Sequence, residues 1–359
     1  MKKRITIDNV AEKAGVSKGA VWAALSKSEK NIRLAPETKK RILEVTRELG
    51  YQPNIMAQGL NCRKSFLIGF FFSESNWHVS TQLIRSIRDI CYTQEYSLII
   101  YPSSSLEEER RNLELSVKRQ LDGMLTIPFI SDDGNNGDEY IRINRDMVPV
   151  MQIIFKLSPE IPFVGIDYRK TGSEAVEYLI QKGHRRISLI TFSNYKVPLQ
   201  GAGIFSHYEG YMCAMNAAGL QTEIYPASCA SNTGFNSGYE AAEGILSSSY
   251  APTAVIAKAD SLAYGMITRF KELGVRIPED ISIIGCADDM VFPECLVPEL
   301  TNFSVPFKSI GDTAFKKCLN LPMDVSSGDI YLYQKFEKGE TVRDCGNISM
   351  PKVKEGVSI

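Results

Sequence analysis

The sequence predicts two unlike folds in one chain: an all-α helix-turn-helix head over residues 1–52 and, behind it, a much larger α/β core of parallel sheets with helices on both faces. Charge is the first sign. Residues 1–66 hold 14 Lys+Arg against 6 Asp+Glu, a net +8, while residues 67–359 hold 27 against 36, a net −9, so the overall −1 conceals a polarised molecule. A basic head on an acidic body suits a protein that holds a polyanion at one end. Periodicity is the second sign: apolar residues recur at helical spacing up to residue 50, and from Ser65 strands alternate with helices.

The head is punctuated into short helices. Thr6 is placed to cap a first helix with Val10, Ala11 and Ala14 as its apolar stripe, and Gly15 supplies a left-handed turn position. Ser17 caps a second helix, Lys18 to about Ser26, whose Val21 and Leu25 face inward. Pro36 suits the first turn of a third helix through Leu49, with Ile42, Val45 and Leu49 on one face and Gly50 ending it. Three helices with a tight Ala14-Gly15-Val16-Ser17 turn between the first two make a helix-turn-helix. A fourth helical stretch, Asn54 to Asn61, is about two turns long and needs a partner to order.

In the core, Phe66 to Phe72 is an apolar run of buried-strand character. Ser97 to Tyr101, Gly123 to Ile127, Val148 to Phe155, Ile187 to Thr191, Ala254 to Ala257 and Ile281 to Gly285 repeat it. Amphipathic stretches lie between them: Gln82 to Gln94, Glu107 to Arg119, Ser173 to Lys182, Tyr208 to Ala218 and Leu262 to Leu273. This alternation implies parallel sheets covered on both faces, with ligands at the carboxyl ends of strands or between lobes. The acidic, glycine-rich stretch Asp132 to Glu139 does not have EF-hand spacing and reads as a solvated loop.

Several classes are excluded. No apolar run reaches the ~20 residues of a membrane span, and no h-region follows the basic N-terminus, so a cytoplasmic protein with no membrane partner is expected. Eight cysteines are scattered without a C-x-x-C pair, which suggests neither a zinc site nor a dithiol motif. There is no G-x-S-x-G elbow, H-E-x-x-H or Walker sequence, so no enzyme and no cofactor are expected.

The segment Ile7-Asp8-Asn9-Val10-Ala11-Glu12-Lys13-Ala14-Gly15-Val16-Ser17, continuing to Tyr51-Gln52-Pro53-Asn54 and Ala57-Gln58-Gly59-Leu60, resembles the DNA-binding head of the lactose/galactose repressor family. The remainder resembles that family's two-lobed, periplasmic-binding-protein-like core, with Leu121-Asp122-Gly123, Gly183-His184-Arg185-Arg186-Ile187, Gly274 to Asp280 and Leu300-Thr301 as landmarks. The resemblance implies a head over 1–52, a hinge helix and linker over 53–64, a core over 65–348 and a tail over 349–359. Lobe one would take about 65–166 plus 304–324, and lobe two about 167–303 plus 325–348. It further implies a homodimer on a near-palindromic double-stranded operator, acting as a repressor and modulated by a small molecule such as a sugar or sugar derivative.

Read onto this sequence, the second helix would present Ser17, Lys18, Gly19, Ala20, Trp22 and Ala23 to the major groove. Of Lys18, Gly19, Trp22 and Ala23 on the readout face, Lys18 is the residue to donate to a guanine edge, the alternatives being a phosphate-only contact or a solvated lysine. Trp22 would pack either on the DNA backbone or on the third helix. In the hinge, Asn54, Ala57, Gln58 and Leu60 would enter the minor groove, with Leu60 as the wedge that unstacks central base pairs. Thr6, Arg63 and Lys64 are candidate phosphate contacts.

The implied effector site departs from the family pattern. Where sugar-binding relatives carry an arginine three residues before a helix glycine, His207 stands before Gly210, and imidazole cannot reproduce a bidentate guanidinium. An Asn-Asp pair reads Ala259-Asp260, with Asp260 either a ligand contact or a helix cap. The G-x-D-D turn reads Gly285-Cys286-Ala287-Asp288-Asp289, so the ligand aspartate is either Asp288 or lost to Ala287. Trp77 and Phe235 are aromatic candidates for stacking on a ring, each with packing as its alternative. Three altered anchors leave a second possibility, control by a partner protein or an unrelated ligand. A solute-binding protein is a remote alternative that the basic head opposes.

Overall fold

The structure is a computed structural model that describes residues 5–25, 34–52, 59, 64–74, 77–131, 134–192, 206–227, 234–286, 297–323 and 328–345. It divides into two compact units, Met1–Phe66 and Leu67–Ile359. Most of the predicted hinge and all of the C-terminal tail lie outside the described residues.

The first unit contains α1 (Ile7–Ala14), α2 (Lys18–Leu25) and α3 (Pro36–Leu49). Asn9 Oδ1 accepts from the Thr6 backbone N–H at 3.0 Å and from the Thr6 hydroxyl at 3.1 Å, fixing the start of α1. Gly15 closes α1 at φ 63°, where a side chain would be strained, and Val16 N–H reaches back to Ala11 O at 3.0 Å. Val10, Ala11, Ala14, Val21, Ala24, Ile42 and Val45 form the core that binds the three helices together. Burial of each larger side chain contributes roughly 1.5–3 kcal/mol, enough to hold helices too short to stand alone.

The second unit holds two six-stranded sheets. In the N-terminal lobe β1 (Leu67–Ser73), β2 (Ser97–Ser103), β3 (Gly123–Ile127), β6 (Val150–Ile153), β7 (Phe163–Ile166) and β13 (Ile330–Leu332) run in the order β13-β7-β6-β3-β1-β2, all pairs parallel. In the C-terminal lobe β8 (Ile187–Phe192), β9 (Glu223–Ala227), β10 (Ala254–Ala257), β11 (Ser282–Gly285), β12 (Thr301–Ser304) and β14 (Lys335–Glu337) run β14-β12-β11-β10-β8-β9, with only β12 and β14 antiparallel. The strands read as apolar runs because both faces are covered. Phe70 and Phe72 enter one core with Leu83, Ile87 and Phe315, while Phe71 enters the opposite core with Leu113 and Tyr140. Ala254 and Ile256 likewise pack with Val176 and Tyr211, and Val255 and Ala257 with Leu262 and Phe270.

The chain passes between lobes three times: between β7 and α7 (Tyr168–Gln181), between β12 and α11 (Phe307–Cys318), and between β13 and β14. This corrects the predicted division at residue 325. Residues 330–332 pair with β7 and complete the N-terminal sheet, so the last passage falls at Tyr333-Gln334.

The stretch read as a solvated loop is also corrected. Residues 132 and 133 lie outside the described residues, but Gly134–Asn135 pair as β5 with β4 (Ile130–Ser131), and Gly137 to Glu139 begin α6 (Gly137–Asp146), where Asp138 and Glu139 meet the positive end of the helix dipole. Behind it the buried Glu109 of α5 (Leu106–Lys118) accepts from Asn136 Nδ2 at 2.7 Å, Tyr140 OH at 2.8 Å and Phe129 N at 2.9 Å. Burial pushes this carboxyl above its usual range, and the three bonds oppose that shift.

Candidate DNA-binding head and interlobe site

In the head, the Ser17 hydroxyl accepts from Ala20 N at 3.2 Å, as expected of a cap on α2. Ser17, Lys18 and Gly19 are exposed; Trp22 and Ala23 are half-buried. Ala20 packs against the head core, which limits what its methyl can offer a ligand. Lys18 forms an ion pair with Asp8 of α1, and both side chains remain more than half exposed. Thr6 and Lys64 are exposed as well. Asn54, Ala57, Gln58, Leu60 and Arg63 lie outside the described residues.

The second candidate site lies at the carboxyl ends of the strands. Ser206 begins α8 (His207–Ala217) with a reciprocal cap: its hydroxyl accepts from Glu209 N at 3.2 Å, and Glu209 Oε2 accepts from Ser206 N at 3.0 Å. This cap sets His207 as the first residue of the helix. α8 then crosses α7 with almost no separation, since a Cβ on Gly210 would lie 2.0 Å from Arg169 O and one on Gly172 would lie 2.3 Å from His207 O. His207 is thereby held inside. Its Nε2 donates to Cys286 O at 3.2 Å, and its ring centroid lies 4.7 Å from that of Tyr168. Burial first, and the charge of Lys258 second, push the imidazole down to about 3, so it is neutral.

Asp260 opens α10 (Asp260–Glu272) but is not its cap. The N-cap is Ala259, and Asp260 stands one residue inside, fully buried, accepting from Asn302 Nδ2 at 3.1 Å. A Cβ on Gly285 would come within 2.1 Å of Asp260 Oδ1, so glycine at the end of β11 is what admits the carboxylate. Phe235, in the first turn of α9 (Gly234–Ser247), packs on the C-terminal lobe core and stacks on Tyr239 at 6.5 Å. Trp77 begins α4 (Trp77–Thr93) just beyond β1, keeps 49% of its surface exposed, and meets Phe72 at 5.7 Å. Asp288 lies outside the described residues.

Two groups at this site escaped sequence reasoning. Gln334, on the last passage between lobes, donates to Cys286 O and Phe303 O, each at 2.7 Å, and accepts from Thr171 Oγ1 at 2.8 Å. Nothing local distinguishes it from any other glutamine between short strands. Lys258 follows β10 directly and lies 5.0 Å from the Phe192 ring centroid.

Comparison with known proteins places this arrangement. The profile described as bacterial regulatory proteins, lacI family, matches residues 6–54, and a periplasmic binding protein-like domain matches residues 176–325. Catabolite control protein A of Priestia megaterium is 30% identical over 87% of this chain and 91% of its own length. The chain belongs to the LacI family. Another relative, the HTH-type transcriptional repressor PurR of Pasteurella multocida (strain Pm70), is 31% identical over 78% of this chain and 81% of its own. The LacI fold extends across the chain: the lac repressor dimer bound to operator and the anti-inducer ONPF superposes with a TM-score of 0.72 at 22% identity, covering 95% of this chain and 100% of that one. A LacI family regulator from Enterococcus faecium with bound ribose gives 0.63 at 24% identity, covering 78% and 100%. Among the described residues, no helix is long and apolar enough to cross a membrane, and no cluster of His, Cys, Asp or Glu has metal-site geometry.

Proposed function

We propose that this LacI family member is a cytoplasmic, non-enzymatic transcriptional repressor that binds a near-palindromic operator as a homodimer and responds to a small molecule held between its core lobes. The carrying observation is the exposed amino-terminal turn of α2, Ser17 to Gly19, on a compact three-helix unit with a net +8 charge. Lys18 reads a guanine edge, Ala23 and Trp22 contribute apolar contact, and Thr6, Arg63 and Lys64 neutralise phosphates. Leu60, with Asn54, Ala57 and Gln58 beside it, works in the minor groove. The family relationship supports this reading, since the operator and a sugar accompany relatives of the same fold.

Genomic footprinting of the bound sites, followed by titration of one such duplex at fixed salt, tests the proposal. Inverted half-sites are expected, and binding of random duplex with equal affinity counts against it.

One observation favours a ligand other than a sugar of the usual kind. His207 spends its Nε2–H on Cys286 O, and Asp260 is buried against Asn302. Of the three altered anchor positions, these two are turned toward the protein's own groups. A panel of sugars, sugar phosphates, nucleobases and amino acids, scored by the rise in unfolding midpoint, separates the two readings: a true effector raises it by mass action.

A further inference from the structure

The N-terminal sheet ends on an open strand. β2 is outermost there, and its seven residues, Ser97-Leu98-Ile99-Ile100-Tyr101-Pro102-Ser103, include no charged side chain. Edge strands are ordinarily blunted by brevity, charge or proline, because an unpaired ladder invites another chain. The other edges of the two large sheets follow that rule: β13 and β14 have three residues each, and β9 holds Glu223 and Pro226. In β2 the proline stands next to the last residue, and Ile100 at the middle keeps 47% of its surface exposed.

α5 lies along this edge and extends the same face. Asn112 Nδ2 donates to Pro102 O and Ser103 Oγ, each at 3.0 Å, and an Arg119 guanidinium N–H donates to Tyr101 OH at 3.0 Å. The flank of the helix that carries them therefore overhangs β2. Glu108 and Leu115 share that flank, one helical turn to either side of Asn112. Leu115 is 46% exposed. Glu108 Oε2 accepts from Ser104 N at 2.8 Å and from Ser104 Oγ at 2.7 Å, which fixes the carboxylate beside the carboxyl end of the strand. Acid thus stands at one end of the flank and base at the other, with Leu115 between them.

This order is complementary to its own copy under a two-fold rotation, the relation that an isologous dimer needs. The pairs Glu108 with Arg119 and Asn112 with Leu115 are both centred between Leu113 and Glu114, so one axis serves both. Arg111 does not compete, being ion-paired with Glu107.

We infer that two copies of this chain meet at the β2 edge with their α5 helices antiparallel, Glu108 against the partner's Arg119, Leu115 over the partner's Asn112, and Ile100 close to the axis. The inference rests on the homodimer reading above and adds to it the face and the charge order by which a copy is selected. A different chain would match only if it repeated both ends of the flank in reverse.

Sedimentation equilibrium of the full chain without DNA tests it, with circular dichroism as the check on folding. The unaltered protein is expected to be dimeric at about 10 µM. Ile100→Lys and Leu115→Asp, both at exposed positions, should each raise the dimer dissociation constant at least about tenfold. Arg119→Glu should do the same, and adding Glu108→Arg to it should bring the constant back to within about fivefold of the starting value. If the dimer withstands Ile100→Lys and Leu115→Asp together, this face is wrong while the homodimer reading stands. A double charge exchange no tighter than Arg119→Glu alone overturns the α5 pairing. An unaltered chain still monomeric at about 100 µM removes the homodimer reading and the inference with it.

Discussion

Gln334 and His207 donate to the same acceptor, the carbonyl oxygen of Cys286, at 2.7 and 3.2 Å. One residue belongs to the last passage between lobes and the other to the first turn of α8. Through Thr171 and Phe303, Gln334 also touches the flanks of the other two passages. All three connections are thus tied at one buried point. Leaving a buried donor or acceptor unmade costs roughly 1–3 kcal/mol. Gln334→Leu is expected to lose about 2–4 kcal/mol in urea unfolding, since Thr171 and Phe303 are left unsatisfied. A loss within about 0.5 kcal/mol would show that the knot does not bear on stability.

His207 makes this point sensitive to acid. Its folded value is held down at about 3, and that of the buried His184 at about 4, both first by burial. An unfolded histidine titrates near 6.5, so each contributes stability that is complete above about pH 6.5 and is lost as pH falls toward the folded value. Each should steepen the decline by roughly 1.4 kcal/mol per pH unit between about pH 6 and 4. His207→Gln should remove one histidine's share of that slope, measured as unfolding free energy against pH. An unchanged slope would place the proton uptake elsewhere.

Lys18 is ion-paired with Asp8, a partner that DNA would displace under the proposed reading. Both side chains are largely exposed, so the pair adds little to folding. Under the proposed reading, Asp8→Asn should tighten duplex binding about two- to tenfold at low salt by freeing the lysine and removing a negative charge. Lys18→Ala should weaken it by at least about tenfold. Fluorescence anisotropy across a salt series measures both, and an Asp8→Asn protein that binds more weakly contradicts the assignment.

Alanine ordinarily favours a helix over glycine by about 1 kcal/mol. At Gly210 the sign should reverse, because the added carbon would meet Arg169 O at 2.0 Å and Ser173 N at 2.8 Å. Gly210→Ala is expected to destabilise by about 1–3 kcal/mol as α7 and α8 separate. A stabilised variant in thermal unfolding would mean that the helices do not cross this closely.

Leu60→Ala tests the hinge. Loss of a minor-groove wedge should lower operator affinity by more than about tenfold, or 1.4 kcal/mol, with the core's unfolding unchanged. Equal affinity at fixed salt would remove the wedge from the mechanism.

Strand runs such as Gly123–Ile127 and Ala254–Ala257 were legible to the residue because an unbroken apolar segment between turns has few other uses in a sheet covered on both faces. The caps at Thr6 and Ser17 were legible because a short polar side chain before an apolar stripe has a local partner. Illegible were β13 and β14, three residues each, which exist only because distant strands offer open edges. The candidate site follows the same division. His207 and Asp260 were located by motif, but their inward-facing bonds to Cys286 and Asn302 depend on partners 79 and 42 positions away. Sequence marks where a polar group stands; only packing decides whether it faces a ligand or the protein itself.

The three passages between lobes have a consequence for synthesis. Neither sheet is drawn from one continuous stretch: the N-terminal sheet waits for Ile330–Leu332 and the C-terminal sheet for Lys335–Glu337, each supplying an outermost strand. A ribosome that has delivered residue 320 has therefore released neither lobe complete. The two halves must mature together at the end of translation, and a stop codon as late as residue 329 would strip an edge from both.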